Sequence, residues 1–163
     1  MNGERALRKR CRRLAESLPM PAPFDLGRFL EMIGDQRRRP IEVVPVSAAA
    51  DVPCGLLLST VANDYIFVPR NTTVLHRQHI VFHEIAHLLC EHVGDTTMPA
   101  TVLPGLSREL IMRVLGRTGY VEPEEREAEL VATFLSQRVD QRPRPTYAGE
   151  LQALDDAFGE GRR

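Results

Sequence analysis

The chain has 163 residues, 43% of them hydrophobic and 26% charged, so it is long enough to bury one hydrophobic core and too short for two independent domains of ordinary size. Its formal net charge of −1 at pH 7 excludes a general electrostatic attraction to nucleic acid or to anionic membranes. No apolar run approaches the roughly 18 residues of a membrane-spanning helix, and the basic N-terminus is not followed by the apolar segment of a signal peptide.

The first part of the chain predicts two helices and three strands. A helix at residues 3–18 has an apolar face and a basic face, and three prolines follow it within five residues. A second helix begins after Asp25, a favourable N-cap, and runs to the arginines at 37–39. The strands are predicted at 41–46, 56–60 and 65–68, and a turn at 61–64 joins the last two as a hairpin.

The second part of the chain predicts further helices. The longest apolar helix is placed at about 74–92, with the hydroxyl of Thr72 or Thr73 as its N-cap. An irregular loop with two prolines follows at 96–104. The remaining helices are predicted at about 107–115, 123–138 and 147–158.

These elements predict an α+β fold in one domain. A small three-stranded sheet with its hairpin is expected to pack on the central helix, and other helices surround it. The N-terminal basic helix at 3–18 and the C-terminal helix at 147–158 flank a core of about 41–139. The cysteines at 11, 54 and 90 contain no C-x-x-C pair, which is typical of reduced thiols, so we predict a cytoplasmic protein.

The central helix carries the pattern H-E-x-x-H, in which His83, Glu84 and His87 are the fixed residues. Residues four apart share one face of a helix, so both imidazoles can bind a single Zn²⁺. Zinc lowers the pKa of a bound water toward about 7 and polarises a carbonyl group. Glu84 is the predicted general base, which takes the proton of the water and passes it to the leaving amine.

A catalytic zinc site needs a third protein ligand. The helix at 123–138 opens with five glutamates, at positions 122, 124, 125, 127 and 129. Acidic residues at a helix N-terminus also compensate the helix dipole, so this cluster has a structural explanation as well. The phase of the apolar residues that follow does not select one glutamate and slightly favours Glu124 and Glu127.

Together, the two segments resemble the ImmA/IrrE family of metallo-endopeptidases, which are gluzincin-like H-E-x-x-H enzymes. The second motif of that family, E-x-x-A-[ND]-x-F-A, falls on the segment that begins at Glu125 and ends at Ala132. The resemblance implies a zincin-like fold with Glu125 as the third zinc ligand. Glu129 stands where the family has Asn or Asp, at a position expected to brace a ligand histidine. Val131 replaces the aromatic residue, which is a change in packing.

The resemblance also implies a regulatory protease that cleaves a helix-turn-helix transcriptional repressor and thereby switches on stress-response or mobile-element genes. The hairpin before the helix at about 74–92 is expected to offer an edge strand with which an extended substrate could pair. Arg113, Tyr120 and Tyr65 are candidates for stabilising the oxyanion, and the sequence does not rank them.

Other residues near the motif have structural explanations beside functional ones. His79 lies one turn before His83 on the same face and is a candidate to line the cleft, to act as an alternative ligand or to support the site from outside. His76 and His92 lie near the two ends of the helix, where structural or solvent-facing roles are predicted. Cys90 is predicted to be a buried small residue rather than a ligand.

The alternative function is a non-catalytic module on the same fold that docks to a regulator or to nucleic acid. Its support is the basic run in the first helix, although such a run is more often a solvated helix face. An intact general base favours the enzyme, because a scaffold has no use for one. The basic residues are Arg5, Arg8, Lys9, Arg10, Arg12 and Arg13.

Overall fold

The computed structural model describes residues 2–47, 55–92, 111–116 and 121–141, with the backbone alone for 111–116. Within these ranges the chain is α+β, as predicted, with four helices and one mixed sheet. The helices are α1 (Asn2–Ser17), α2 (Leu26–Arg37), α3 (Val74–Leu89) and α4 (Glu122–Asp140). The strands are β1 (Ile41–Val46), β2 (Leu56–Thr60), β3 (Asp64–Pro69) and β4 (Ile111–Gly116).

Helix starts follow the predicted capping chemistry. The side chain of Asp25 accepts a hydrogen bond from the backbone N–H of Arg28 (2.7 Å), and Thr73 accepts one from His76 (3.2 Å). These bonds satisfy amides that have no partner within the first turn of a helix.

None of the described helices combines the length and apolar character that crossing a membrane requires. The loop predicted at 96–104 and the helix predicted at 147–158 lie outside the described residues.

The sheet contains the three predicted strands and a fourth, in the order β1-β3-β2-β4. Strands β2 and β3 form the predicted antiparallel hairpin, β1 is parallel to β3, and β4 is antiparallel to β2. The prediction of a helix at 107–115 is therefore wrong for residues 111–115, which belong to β4. A short apolar run fits a helix or a strand equally well, and here the pairing with β2 decides.

The predicted role of the hairpin as a free edge is also wrong. Strand β3 has β1 on its other side, and β2 has β4 on its other side. Both strands of the hairpin are thus interior, and the edges of the described sheet are β1 and β4. The neighbouring strands β1 and β4 come from other parts of the chain, so no local sequence pattern predicts this pairing.

The main hydrophobic core lies between α3, the other helices and one face of the sheet. Leu57, Ile66 and Val68 point from the sheet into this core, where Phe82 and Ile85 of α3 are fully buried. A smaller cluster occupies the opposite face of the sheet and is formed by Leu56, Leu58 and Phe67. Alternate residues of a strand face opposite sides of the sheet, which explains the division.

Helices α1 and α4 pack against each other through basic side chains. The guanidinium groups of Arg8 and Arg12 lie 5.3 and 5.0 Å from the ring centroid of Phe134. Arg138 of α4 donates hydrogen bonds to the carbonyl oxygens of Ala15 and Leu18 at the end of α1. Part of the basic run of α1 therefore has packing partners within the fold.

Candidate metal centre

Helix α3 presents both histidines of the H-E-x-x-H pattern toward α4. His83 and His87 are buried, and their Nε2 atoms lie 3.0 Å apart. The spacing of four residues places the two rings one above the other on a single helical face. The packing of α3 in the core then fixes the direction in which that face points.

Helix α4 brings one glutamate to the same point. Glu125 Oε2 lies 3.5 Å from His83 Nε2, and Glu125 Oε1 lies 3.5 Å from His87 Nε2. The three side chains are close enough to hold a metal ion. Of the glutamates that the sequence left open, Glu125 is the one that the structure brings to both histidines, whereas Glu127 is directed toward Arg10 and His92.

The donor set fits zinc. Ligand atoms that bind a tetrahedral zinc at about 2.0–2.2 Å lie about 3.3–3.6 Å from one another. Here the two Nε2 atoms are 3.0 Å apart, and each lies 3.5 Å from an oxygen of the Glu125 carboxylate, His83 from Oε2 and His87 from Oε1. Each of these separations is close to an edge of such a tetrahedron. Two imidazoles and one carboxylate also leave a fourth position open, which is the composition of catalytic rather than structural zinc sites.

The protonation state of His87 suits a ligand. Burial, and then the neighbouring His83 and His92, lower the pKa of His87 to about 2. The imidazole is therefore neutral at physiological pH and keeps a nitrogen lone pair that a metal can use. No deprotonation of His87 has to accompany metal binding.

Glu84 lies between the two histidines in sequence and borders a small cleft. Its side chain is buried, and the cleft is also lined by His83 and Gly55. A Cβ atom built on Gly55 would lie 2.5 Å from Glu84 Oε1. Gly55 lies outside the sequence motifs, although a glycine directly before a β-strand is a signal for close backbone approach.

The structure groups His79, His83 and Glu129. Glu129 Oε2 lies 3.3 Å from His79 Nε2 and 3.5 Å from His83 Nδ1. Glu129 therefore approaches the ring nitrogen of His83 that does not face His87. His79 is 41% exposed and also lines the cleft beside Glu84.

On the other side of His87, the structure places residues that the sequence treated as peripheral. His92 is buried, with 6% of its surface exposed, so a solvent-facing role is excluded. Its Nδ1 atom lies 2.9 Å from His87 Nδ1. Cys90 is half-buried, and its pKa is raised to about 12 by burial and then by the charge of Glu127.

One candidate for the oxyanion does not reach the site. Tyr65 packs with the smaller cluster on the sheet face opposite α3, and its hydroxyl accepts a hydrogen bond from the Asn63 side chain (3.3 Å). That prediction is wrong because the alternation of β3 turns Tyr65 away from α3. The side chain of Arg113, and Tyr120, lie outside the described residues.

Comparison with known proteins adds no further constraint on this site. No protein-family model, curated protein or solved structure matches the chain. Functional inference therefore depends on the residues of the site and their arrangement.

Proposed function

We propose that this protein is a zinc-dependent endopeptidase. The observation that supports the proposal is the convergence of His83 Nε2, His87 Nε2 and the Glu125 carboxylate within 3.0–3.5 Å of one another, with Glu84 on the same helix beside a cleft. The ligand composition leaves room for a water and a substrate oxygen. A structural site would instead use all four positions for protein ligands.

Each residue of the site has a separate chemical task. His83, His87 and Glu125 would hold the ion, which when bound supplies a Lewis acid that activates water and polarises a carbonyl. Glu84 takes a proton from the attacking water and returns it to the leaving amine. Its burial keeps bulk water away from the carboxylate, so that electrostatic interactions with a substrate are stronger than in solution.

The sheet offers a surface for an extended peptide. Strand β4 forms one edge of the described sheet, and Gly116 at its end pairs with Leu56, the residue after Gly55. A peptide that adds to β4 would lie two strand spacings, about 10 Å, from β2, the strand that begins beside Glu84. With the resemblance to ImmA/IrrE enzymes, we propose that the substrate is a helix-turn-helix repressor.

Glu84→Gln provides the test of this function. We expect the variant to bind zinc like the wild type and to lose about 10²–10⁴-fold in cleavage rate, because the amide cannot accept the proton. Cleavage is measured by mass spectrometry on a proteome-derived peptide library and on a purified helix-turn-helix repressor from the same genome. Chelation should abolish cleavage and added zinc should restore it.

The matched control is Glu122→Gln, which changes an exposed glutamate at the start of α4. This variant should cleave at the wild-type rate. Wild-type activity in Glu84→Gln, or no cleavage of any substrate by the zinc-loaded wild type, would overturn the proposal.

A further inference from the structure

The contact between His87 and His92 constrains the position of one proton. The two Nδ1 atoms are 2.9 Å apart, and both rings are buried. At this distance one nitrogen carries a proton and donates it, and the other accepts. The direction of this hydrogen bond therefore selects the tautomer of both rings.

The metal site determines which ring donates. His87 Nε2 faces His83 Nε2 and Glu125, so it is the nitrogen with which His87 would bind a metal. A neutral imidazole that keeps a lone pair on Nε2 carries its proton on Nδ1. His87 Nδ1–H is thus the donor, and His92 Nδ1 is the acceptor.

The acceptor role of His92 also determines which of its ring nitrogens carries a proton. A neutral His92 that accepts through Nδ1 carries its proton on Nε2. That nitrogen lies 3.4 Å from Glu127 Oε2, which can accept the hydrogen bond. From His87 Nδ1 through His92 to Glu127, each donor therefore faces an acceptor.

Helix α1 contacts Glu127, the last residue in this series of hydrogen bonds. Arg10 donates two hydrogen bonds to Glu127 Oε1, at 3.0 Å from Nε and 2.8 Å from Nη2. Two hydrogen bonds from one guanidinium group hold the carboxylate of Glu127 in place. The orientation of His87 thus depends on residues of α1 and α4 as well as α3.

We propose that His92 and Glu127 are positioning residues that hold His87 in the tautomer with its proton on Nδ1, and so keep Nε2 ready for a metal. The proposal rests on the metal site of the proposed function. Glu129 approaches the corresponding nitrogen of His83, so each ligand histidine has a separate partner. Partners of this kind affect metal affinity by about 10–100-fold.

A second metal ion is the competing explanation, because Cys90, His92 and Glu127 also lie close enough to hold one. A metal on His92 Nε2 would require a proton on His92 Nδ1, which would then face the proton on His87 Nδ1 at 2.9 Å. Arg10 would also compete with the metal for Glu127. The two ions therefore exclude each other, and we expect one zinc per chain.

The first experiment measures zinc affinity by competition with a chromophoric chelator. His92→Phe should weaken zinc binding about 10–100-fold, because the phenyl ring cannot accept the proton of His87. His92→Asn should stay within about threefold of the wild type, since its Oδ1 can replace Nδ1 as the acceptor. Glu127→Gln should weaken binding, and Glu124→Gln, on the same helix, is the matched control.

The second experiment needs no metal and no activity. Long-range nitrogen–proton correlations in the NMR spectrum of the metal-free wild type should show His87 protonated on Nδ1 and His92 on Nε2. Protonation of His87 on Nε2, unchanged zinc affinity in a folded His92→Phe variant, or two zinc ions per chain would each overturn the inference. Failure of the wild type to bind zinc at all would instead overturn the proposed function, and the NMR result would still test the tautomer.

Discussion

At the scale of single residues, Gly55 controls where the carboxylate of Glu84 can lie. A Cβ atom at this position would be 2.5 Å from Glu84 Oε1 and 2.8 Å from Ile80 Cγ2. Carbon atoms in folded proteins do not approach so closely, so any side chain at position 55 must displace one of these groups. The absence of a side chain lets the backbone before β2 approach α3 closely.

If Glu84 is the general base, as we propose, Gly55→Ala should lower the turnover number of the proposed peptide cleavage by about 10²-fold, because a displacement of about 1 Å misplaces its carboxylate. The zinc content should not change, because the atoms that a Cβ at position 55 would meet belong to Glu84 and Ile80 and not to the proposed ligands. Steady-state kinetics and metal analysis check this result. Gly3→Ala, where nothing lies within 4 Å of the added atom, is the control, and equal turnover in both variants would contradict the prediction.

At the scale of secondary-structure elements, Asp64 joins the end of α2 to the start of β3. Its side chain is fully buried, with Arg37 Nη2 3.4 Å from Oδ2 and Arg39 Nη1 3.5 Å from Oδ1. The backbone N–H of Asp64 also donates to the carbonyl oxygen of Pro40 (2.9 Å). The arginines at the end of α2 thus have a structural role, which fixes the position of β1 beside β3.

Asp64→Asn should reduce the free energy of unfolding by about 2–3 kcal/mol, because a hydrogen-bonded charge is lost while two arginines remain near it. Urea denaturation measures the change. Glu31→Gln removes an exposed partner of Arg28, with both side chains 64% exposed, and should cost less than about 0.5 kcal/mol. A similar loss in the two variants would argue against a special role for the buried pair.

At the scale of the whole molecule, the proposed metal ion would join α3 to α4, and α4 in turn packs on α1. Arg10 of α1 reaches Glu127, and Arg138 of α4 caps the end of α1. A ligand that binds only the folded chain stabilises all of the elements that it connects. Metal binding and folding should therefore be coupled.

Zinc at 100 times its dissociation constant should stabilise the protein by about 2.7 kcal/mol, which corresponds to a rise of about 5–11 °C in the melting temperature at this chain length. Differential scanning fluorimetry with zinc and with chelator measures the shift. His83→Ala should melt at the same temperature in both conditions. A wild-type melting temperature that does not respond to zinc would exclude coupling between the metal and the fold.

The features that the sequence determined alone are those that depend on neighbours within one or two turns of chain. Helix α3 and the positions of His83 and His87 on one face follow from the helical repeat. The cap at Asp25, and a cap at Thr72 or Thr73, follow from local hydrogen bonding, and the structure has Thr73. The β2–β3 hairpin likewise needs only a turn between two apolar runs.

The tertiary structure decided the features that depend on how distant segments pack. Helical phase favoured Glu124 and Glu127, but the approach of α4 to α3 brings Glu125 to both histidines. Residues 111–116 form a strand because they pair with β2. His92 is buried because Glu127 of α4 lies beside it. Such contacts join residues far apart in sequence, so their geometry is set by the packing of whole elements rather than by any local pattern.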